Sequence, residues 1–216
     1  PYGTDPEVGE YYRGEDTRPL ALVNTDNRII ASAARIAWEP ILSGYISKAQ
    51  KGFLKGRHMI DNIIEVDYDS MRVSLLHDKG MLLLFDFKAA FPSVSHRFLK
   101  QSLASLGLPN SALNFIDSLY DNICCNISHR GEIFEGFEMR SGVRQGCPIS
   151  PLLFAAAVDI LLRILKKRVP EGNYRAFADD IAADLSDWDL QGAVVEGIFK
   201  EFAEMSGLEL NIAKTV

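Results

Sequence analysis

An α+β fold with helices packed on one face of a small sheet is what the sequence predicts. Three features carry the prediction. Met81-Leu82-Leu83-Leu84-Phe85-Asp86 is a short apolar run of the kind found in buried strands. Tyr174 to Asp184 contains two short apolar runs meeting at Asp179-Asp180, a β-hairpin with acids at its turn. Around them the chain alternates as strand, helices, helix, hairpin, helix and strand, with capping residues at most helix starts.

Taken in order, residues 1–17 are polar and without period, an extended arm or cut end. Arg18 to Val23 is a short strand signal. Thr25 or Asp26 caps a helix carrying Ile29, Ile30, Ala33, Ile36 and Ala37; Pro40 disfavours helical geometry just before it, so this helix is expected to end near Trp38. Gln50 to Arg57 is a basic, Gly-punctuated loop. The next helix has Ile60, Ile64, Met71 and Leu75 at helical spacing. Beyond the Asp86 strand, Ser95 caps a helix with Phe98, Leu99, Leu103 and Leu106 that Gly107 stops. Leu108-Pro109-Asn110 opens another through Leu113, Ile116 and Leu119, and residues 122–140 read as a hairpin around His129-Arg130-Gly131. Ser141 to Pro148 is an irregular loop. Ser150 and Pro151 are an N-cap and first-turn pair for a long apolar helix closing at Lys166-Lys167-Arg168. After the central hairpin, a helix with Leu190, Val194, Ile198 and Phe202 is capped near Ser186 or Asp187 and stopped by Ser206-Gly207, and Leu208-Glu209-Leu210 forms a last strand.

At 216 residues with 47% apolar content, one globular unit can bury a substantial core. The longest uninterrupted apolar run, Leu152 to Val158, is too short to span a bilayer, and the N-terminus lacks a signal pattern, so a nuclear or cytoplasmic location is expected. Cys124, Cys125 and Cys147 match no zinc spacing and read as free thiols. The net charge of −6 is uneven: residues 1–16 hold five acids against one Arg, residues 180–216 hold eight acids against two Lys, and 17–179 hold 20 basic against 16 acidic residues, or +4. That middle suits either a basic groove for a polyanion or scattered solvated charge.

Adjacent carboxylates in an apolar segment repel one another, and a hard divalent cation such as Mg²⁺ or Mn²⁺ relieves the repulsion. For Asp179-Asp180 alone, a solvated turn is the stronger account. A second strand ending in Asp86 allows carboxylates from two elements to meet at one place.

Six blocks along residues 18–215 give the chain a resemblance to reverse transcriptases, closest to those of non-LTR (LINE-type) retrotransposons. They are Arg18-Pro-Leu with Asp26-Asn-Arg28; Gln50-Lys-Gly-Phe53 with Gly56-Arg57 and Asp61-Asn-Ile; Asp86-Phe-Lys-Ala-Ala-Phe91; Gly142-Val-Arg-Gln-Gly-Cys-Pro148 with Ser150-Pro-Leu-Leu-Phe154; Phe177-Ala-Asp-Asp180; and Ser206-Gly-Leu-Glu-Leu-Asn-Ile-Ala-Lys214-Thr. Pro92 stands where most relatives carry Asp, and Phe177 where retroviral enzymes carry Tyr. The resemblance implies a right-hand polymerase palm with a fingers subdomain, 18–80 as fingers and 81–216 as palm, with 122–140 a fingers-side hairpin. It places the thumb beyond Val216, so the fold is fingers and palm with the thumb absent, and residues 1–216 alone are expected to add few nucleotides.

The same resemblance implies RNA-directed DNA synthesis, in which a DNA or RNA primer 3′-hydroxyl attacks a dNTP on an RNA template with the help of two Mg²⁺ ions, for which Mn²⁺ may substitute. It makes Asp86 and Asp179 bridging ligands, Asp180 a weaker one on the other face of the strand, and the Phe87 carbonyl a further ligand. Lys214 matches a Lys that protonates pyrophosphate. Arg18 and Arg28 match triphosphate contacts, although Arg28 stands where Lys is usual. Phe91 matches an aromatic that meets the sugar and excludes a 2′-hydroxyl. Gln145 matches a contact near the nascent base pair, and Gln50, Gly52, Phe53, Arg57 and Gly146 match template contacts. Two rival readings are a non-catalytic RNA-binding module of the same fold and an RNA-dependent RNA polymerase, which Phe91 disfavours.

Overall fold

A three-stranded antiparallel sheet, ordered β3-β7-β6, holds the middle of the chain: β3 is Met81–Phe85, β6 is Asn173–Phe177 and β7 is Asp180–Leu185. The computed structural model describes residues 22–216, and the backbone of two further strands, β1 (Tyr2–Asp5) and β2 (Gly9–Tyr12), which pair antiparallel within the stretch expected to be an extended arm or cut end. Most of the strand expected at Arg18–Val23 lies outside the described residues, and Leu22 and Val23 are not in a strand.

Ile181, Ala183 and Leu185 of β7, with Tyr174 and Ala176 of β6, turn one face of the sheet onto the core. Below them runs α6 (Ser150–Arg168), whose Leu152 through Val158 are all 0% exposed. A helix apolar on every side belongs in the interior. Next to it α7 (Trp188–Ser206) buries Val195, Ile198, Phe199 and Phe202. Asp187 caps α7 by accepting from the Leu190 N–H, and Gly207 ends it at φ 77°. On the same side lie α4 (His96–Ser105), capped by Ser95, and α5 (Asn110–Tyr120). Between β3 and α4 the chain makes one short helical turn, α3 (Ala90–Ser93). The hairpin expected at 122–140 forms as β4 (Cys124–His129) and β5 (Glu132–Glu138), and most of its residues are exposed.

Five expectations are revised. Helix α1 runs Thr25–Tyr45 straight through Pro40, which is exposed; proline costs one internal hydrogen bond, and anchoring of the last turn by buried Leu42 and Ile46 offsets it. Its buried side is Ala31 and Leu42 with Trp38 packed beside them, so Ile29 and Ile36, expected on the apolar face, are exposed. The helix expected after the basic loop, α2 (Met59–Leu76), is inverted: Asn62 and Asp69 are buried, while Ile60, Ile64, Met71 and Leu75 face outward. The reason is that α2 lies on the second face of the sheet, where Arg175 and Asp184 present polar groups. Asn62 donates to the Ala176 carbonyl, Ser70 to Asp184, and Arg175 pairs with Glu65 and Asp69. Helices therefore pack on both faces, not one. Finally, β3 is an edge strand with Leu82 and Leu84 exposed rather than a fully buried one.

The last residues cover part of that edge. In place of a regular strand at 208–210 there is a single antiparallel bridge, Phe87 to Leu210, and Val216 exchanges both backbone hydrogen bonds with Leu84. Among the described residues, no helix is long and apolar enough to cross a membrane, and all three cysteines are free.

Candidate active site

Sheet register brings the acids together. Phe85 sits opposite Ile181, so Asp86, the next residue, emerges opposite Asp180, and Asp180 itself pairs with Phe177 across a two-residue turn of Ala178 and Asp179. Partial burial first, then the negative charges of Asp179 and Asp86, push the Asp180 carboxyl above its ordinary value. Asp180 thus feels the charge of both other acids. Among the described residues, no three His, Cys, Asp or Glu side chains are gathered closely enough to enclose a metal ion. The donor set is nonetheless all hard oxygen, the kind a divalent cation of the Mg²⁺ type takes, and its mutual repulsion is what such a cation relieves.

Asn211 orients Asp86 from behind. Its side-chain amide donates to Asp86 Oδ2 at 3.2 Å, and its backbone N–H donates to the Asp86 carbonyl at 2.8 Å. The Asn211 carbonyl accepts from the N–H groups of Lys214 and Thr215, so Lys214 sits exposed on a turn fastened to Asp86. Asn211 was missed in sequence. The only signal for it was its place in the last block, three residues before Lys214.

An aromatic cluster borders the acids. Phe91 stacks on buried Phe154 with centroids 4.6 Å apart and planes at 13°, and meets Phe53 edge-on at 5.9 Å; Phe53 in turn lies 6.4 Å from Phe177. Phe87 is buried against Phe199. The loop carrying Gln145 and Gly146 is fastened to the Phe91 turn: Val143 N–H donates to the Phe91 carbonyl and Gly142 N–H to Val94. Gly142, at φ 84°, passes so close that a Cβ there would lie 2.5 Å from the Pro92 carbonyl oxygen. His96 bonds the Gly142 carbonyl at 2.7 Å and completes this clasp. Gln145 is half-buried, with no side-chain hydrogen bond among the described residues, and Gly146 is exposed at φ 82°.

The basic loop turns inward. Arg57 donates to four backbone carbonyls, those of Ser43, Ile46, Ser47 and Gln50, and so caps the C-terminal end of α1. Its guanidinium is engaged by the protein's own backbone. Gln50 is 0% exposed and hydrogen-bonded to the Ala178 backbone, and Gly52 packs against that same turn. Phe53, at 38% exposure, is the member of the loop that reaches the surface beside Phe91. Arg35, also unforeseen, ties α1 to this region by donating to the carbonyls of Phe53 and Pro148. Arg28 is exposed on the first turn of α1, with no ion pair among the described residues. Arg18 lies outside the described residues.

The family model for reverse transcriptase, the RNA-dependent DNA polymerase, matches residues 13–216. The chain belongs to the reverse transcriptase family. Its relatives include the Pol polyprotein of the retrotransposable element R2DM of Drosophila melanogaster, 29% identical over 94% of this chain and 19% of that protein. The R2 Pol polyprotein of Popillia japonica is 29% identical over 98% of this chain and 30% of that protein. An uncharacterized 149 kDa protein of transposon TX1 in Xenopus laevis is 28% identical over 84% of this chain and 15% of that protein. The chain thus spans less than a third of each of these relatives, and they agree with the non-LTR retrotransposon resemblance of its six blocks. Among solved structures, telomerase of Candida tropicalis, determined with a TWJ fragment of telomeric RNA, superposes with a TM-score of 0.67 at 15% identity over 86% of this chain and 33% of that one. At that identity the likeness speaks for a shared polymerase fold.

Proposed function

We propose that this reverse transcriptase domain is the fingers and palm of a right-hand polymerase that extends a DNA or RNA primer with deoxynucleotides on an RNA template, within a non-LTR retrotransposon protein. In this reading 18–80 are fingers and 81–216 palm, with the β4–β5 hairpin on the fingers side. The observation that carries it is the sheet register that sets the end of β3, and with it Asp86, opposite Asp180, with Asp179 in the adjoining turn.

Two Mg²⁺ ions, held by Asp86 and Asp179 with help from Asp180 and the Phe87 carbonyl, would supply charge stabilisation for the attacking and leaving oxygens. The protein's own contribution is placement. Asn211 fixes the Asp86 carboxylate, and the hairpin register fixes Asp180, with Asp179 in the adjoining turn. Phe91 offers a ring edge beside the acids against which a 2′-hydroxyl would clash. Arg18 and Arg28 would hold the triphosphate, and exposed Lys214, on the turn tied to Asp86, would supply the proton to pyrophosphate. Gln145 and Gly146 would border the nascent base pair, with Phe53 under the template.

The experiment is primer extension on a homopolymer RNA template by the polypeptide carrying this chain. Asp179→Asn and Asp86→Asn are each expected to lower the rate by about 100-fold or more while leaving thermal unfolding in place. Near-normal extension by Asp179→Asn would sink the assignment.

A further inference from the structure

Gln50 has the chemistry of a template contact by sequence and the surroundings of something else. We propose that it is a positioning residue for the carboxylate turn, holding the peptide that aims Asp179. The inference rests on the polymerase reading above, since it concerns the acids of that site.

Gln50 is fully buried, so its amide has no water to bond and must find partners in the protein. It finds them all in the backbone, two of the three on one residue. Its Oε1 accepts from the Ala178 N–H at 2.9 Å and from the Gly52 N–H at 2.8 Å, while its Nε2 donates to the Ala178 carbonyl at 3.1 Å. Backbone partners fix the amide's orientation, because an N–H faces only the oxygen and a carbonyl only the nitrogen. Both main-chain polar groups of Ala178 are thereby held by a single side chain.

Ala178 is the residue that needs holding. Its φ of 60° is left-handed, a conformation disfavoured for any residue with a Cβ. It directly precedes Asp179, so rotation about its φ and ψ swings that carboxylate relative to Asp86. The hairpin pairing of Phe177 with Asp180 leaves the two-residue turn outside the ladder. Gln50 supplies what the ladder does not.

The loop is built to bring Gln50 there. Lys51 N–H donates to the Ala176 carbonyl and Ala176 N–H to the Ala49 carbonyl, so residues 49–51 lie along the free edge of β6. Gly52 lets the two backbones meet: a Cβ on it would stand 2.1 Å from Ala178 N. Arg57 pins the other end of the loop to α1. A segment that sequence reading places against the template is, through Gln50, part of the scaffold under the acids.

Two variants test this in the polypeptide carrying the chain. Gln50→Met removes all three hydrogen bonds at similar volume; Gln50→Glu keeps an acceptor for the two N–H groups but loses the donor to the Ala178 carbonyl. Amide hydrogen exchange at Ala178, followed by NMR, reads the clamp without metal or substrate, and exchange is expected to quicken in both. Mn²⁺ binding, followed by electron paramagnetic resonance, is expected to weaken by about 10-fold. In primer extension the Mg²⁺ concentration for half-maximal rate should rise by a similar factor and kcat should fall, with the KM for dNTP and the affinity for RNA little changed. A folded variant with unchanged exchange at Ala178 overturns the proposal, as does weakened RNA binding with an unchanged metal response, which returns Gln50 to the template. If Gln50→Met fails to fold, Gln50→Glu carries the same readouts. Failure of the unsubstituted protein to bind Mn²⁺ strikes the polymerase reading instead, and the exchange measurement still decides the clamp.

Discussion

Phe91 lies between two roles. Its ring stacks on Phe154, which is 0% exposed, yet remains half-buried beside the acids, with Phe53 edge-on to it. Phe91→Val takes away a ring that both packs and fences, so stability is expected to fall by about 1–3 kcal/mol. On the proposed reading, ribonucleotide use relative to deoxynucleotide use should rise, because the fence against a 2′-hydroxyl would be lowered while Asp86, Asp179 and Asp180 are left unchanged. Single-nucleotide incorporation with paired rNTP and dNTP measures this, and an unchanged ratio in an active variant would leave Phe91 with packing alone. At this scale the sequence was informative where a residue's type is its chemistry: acids at strand ends can be read as acids wherever the chain carries them. It was uninformative where a polar side chain serves a backbone group. Gln50 reaches a partner 128 positions away, and Arg57 closes the end of a helix that was expected to stop near Trp38. Neither residue differs in type from a solvent-facing one, so only the folded path distinguishes them.

Helix α2 carries the clearest lesson about elements. Its periodicity correctly announced a helix, and the apolar stripe correctly marked one side of it, but the side that meets the sheet is the polar one. Burial there is compensated by pairing: Glu65 bonds Lys51 at 2.8 Å and Arg175 on its other oxygen, while Asp69 takes the second arm of Arg175. The ammonium of Lys51 first, and then the guanidinium of Arg175, hold the Glu65 carboxyl below the usual carboxylate range against the opposing effect of partial burial. A carboxyl whose folded pKa is depressed contributes stability above its unfolded pKa and loses it as pH falls through the folded one. Glu65→Gln is therefore expected to cost about 0.5–1 kcal/mol at pH 7, a modest figure because Glu65 is itself partly exposed. The gap between variant and parent should close as pH falls below about 4. Denaturant unfolding at several pH values measures it, and a pH-independent difference would mean that Glu65 matters through packing rather than charge. Where alternation and caps agreed with the tertiary environment, as at Ser95, Asp187 and Gly207, element ends were legible to within a residue or two; where a helix runs through proline or an edge strand is apolar, local rules gave way to packing.

Charge is a property of the whole molecule, and it sets how a polyanion approaches. The chain carries −6 in total, with the surplus of acid at residues 1–16 and 180–216 and +4 between them. Several of the middle cations are engaged internally: Arg57 with carbonyls, Lys51 and Arg175 with acids, Arg163 with Asp159. Fewer remain to meet phosphates than the sequence count suggests, and the acids at the β6–β7 turn repel them. An RNA template with its primer should consequently bind with an affinity that falls steeply as monovalent salt rises, the signature of contacts to the phosphate backbone. Addition of Mg²⁺ at constant ionic strength is expected to strengthen binding, because cations held at Asp86 and Asp179, as proposed, would convert a repelling edge into a neutral or attracting one. The same addition to Asp86→Asn should help less, since one of the acids proposed to hold the metal is gone. Fluorescence anisotropy of a labelled primer-template, titrated across salt and Mg²⁺ for both proteins, provides the comparison. Equal Mg²⁺ enhancement in the two would place the nucleic acid away from the carboxylates, whereas a gain confined to the parent would put the primer end where the acids converge.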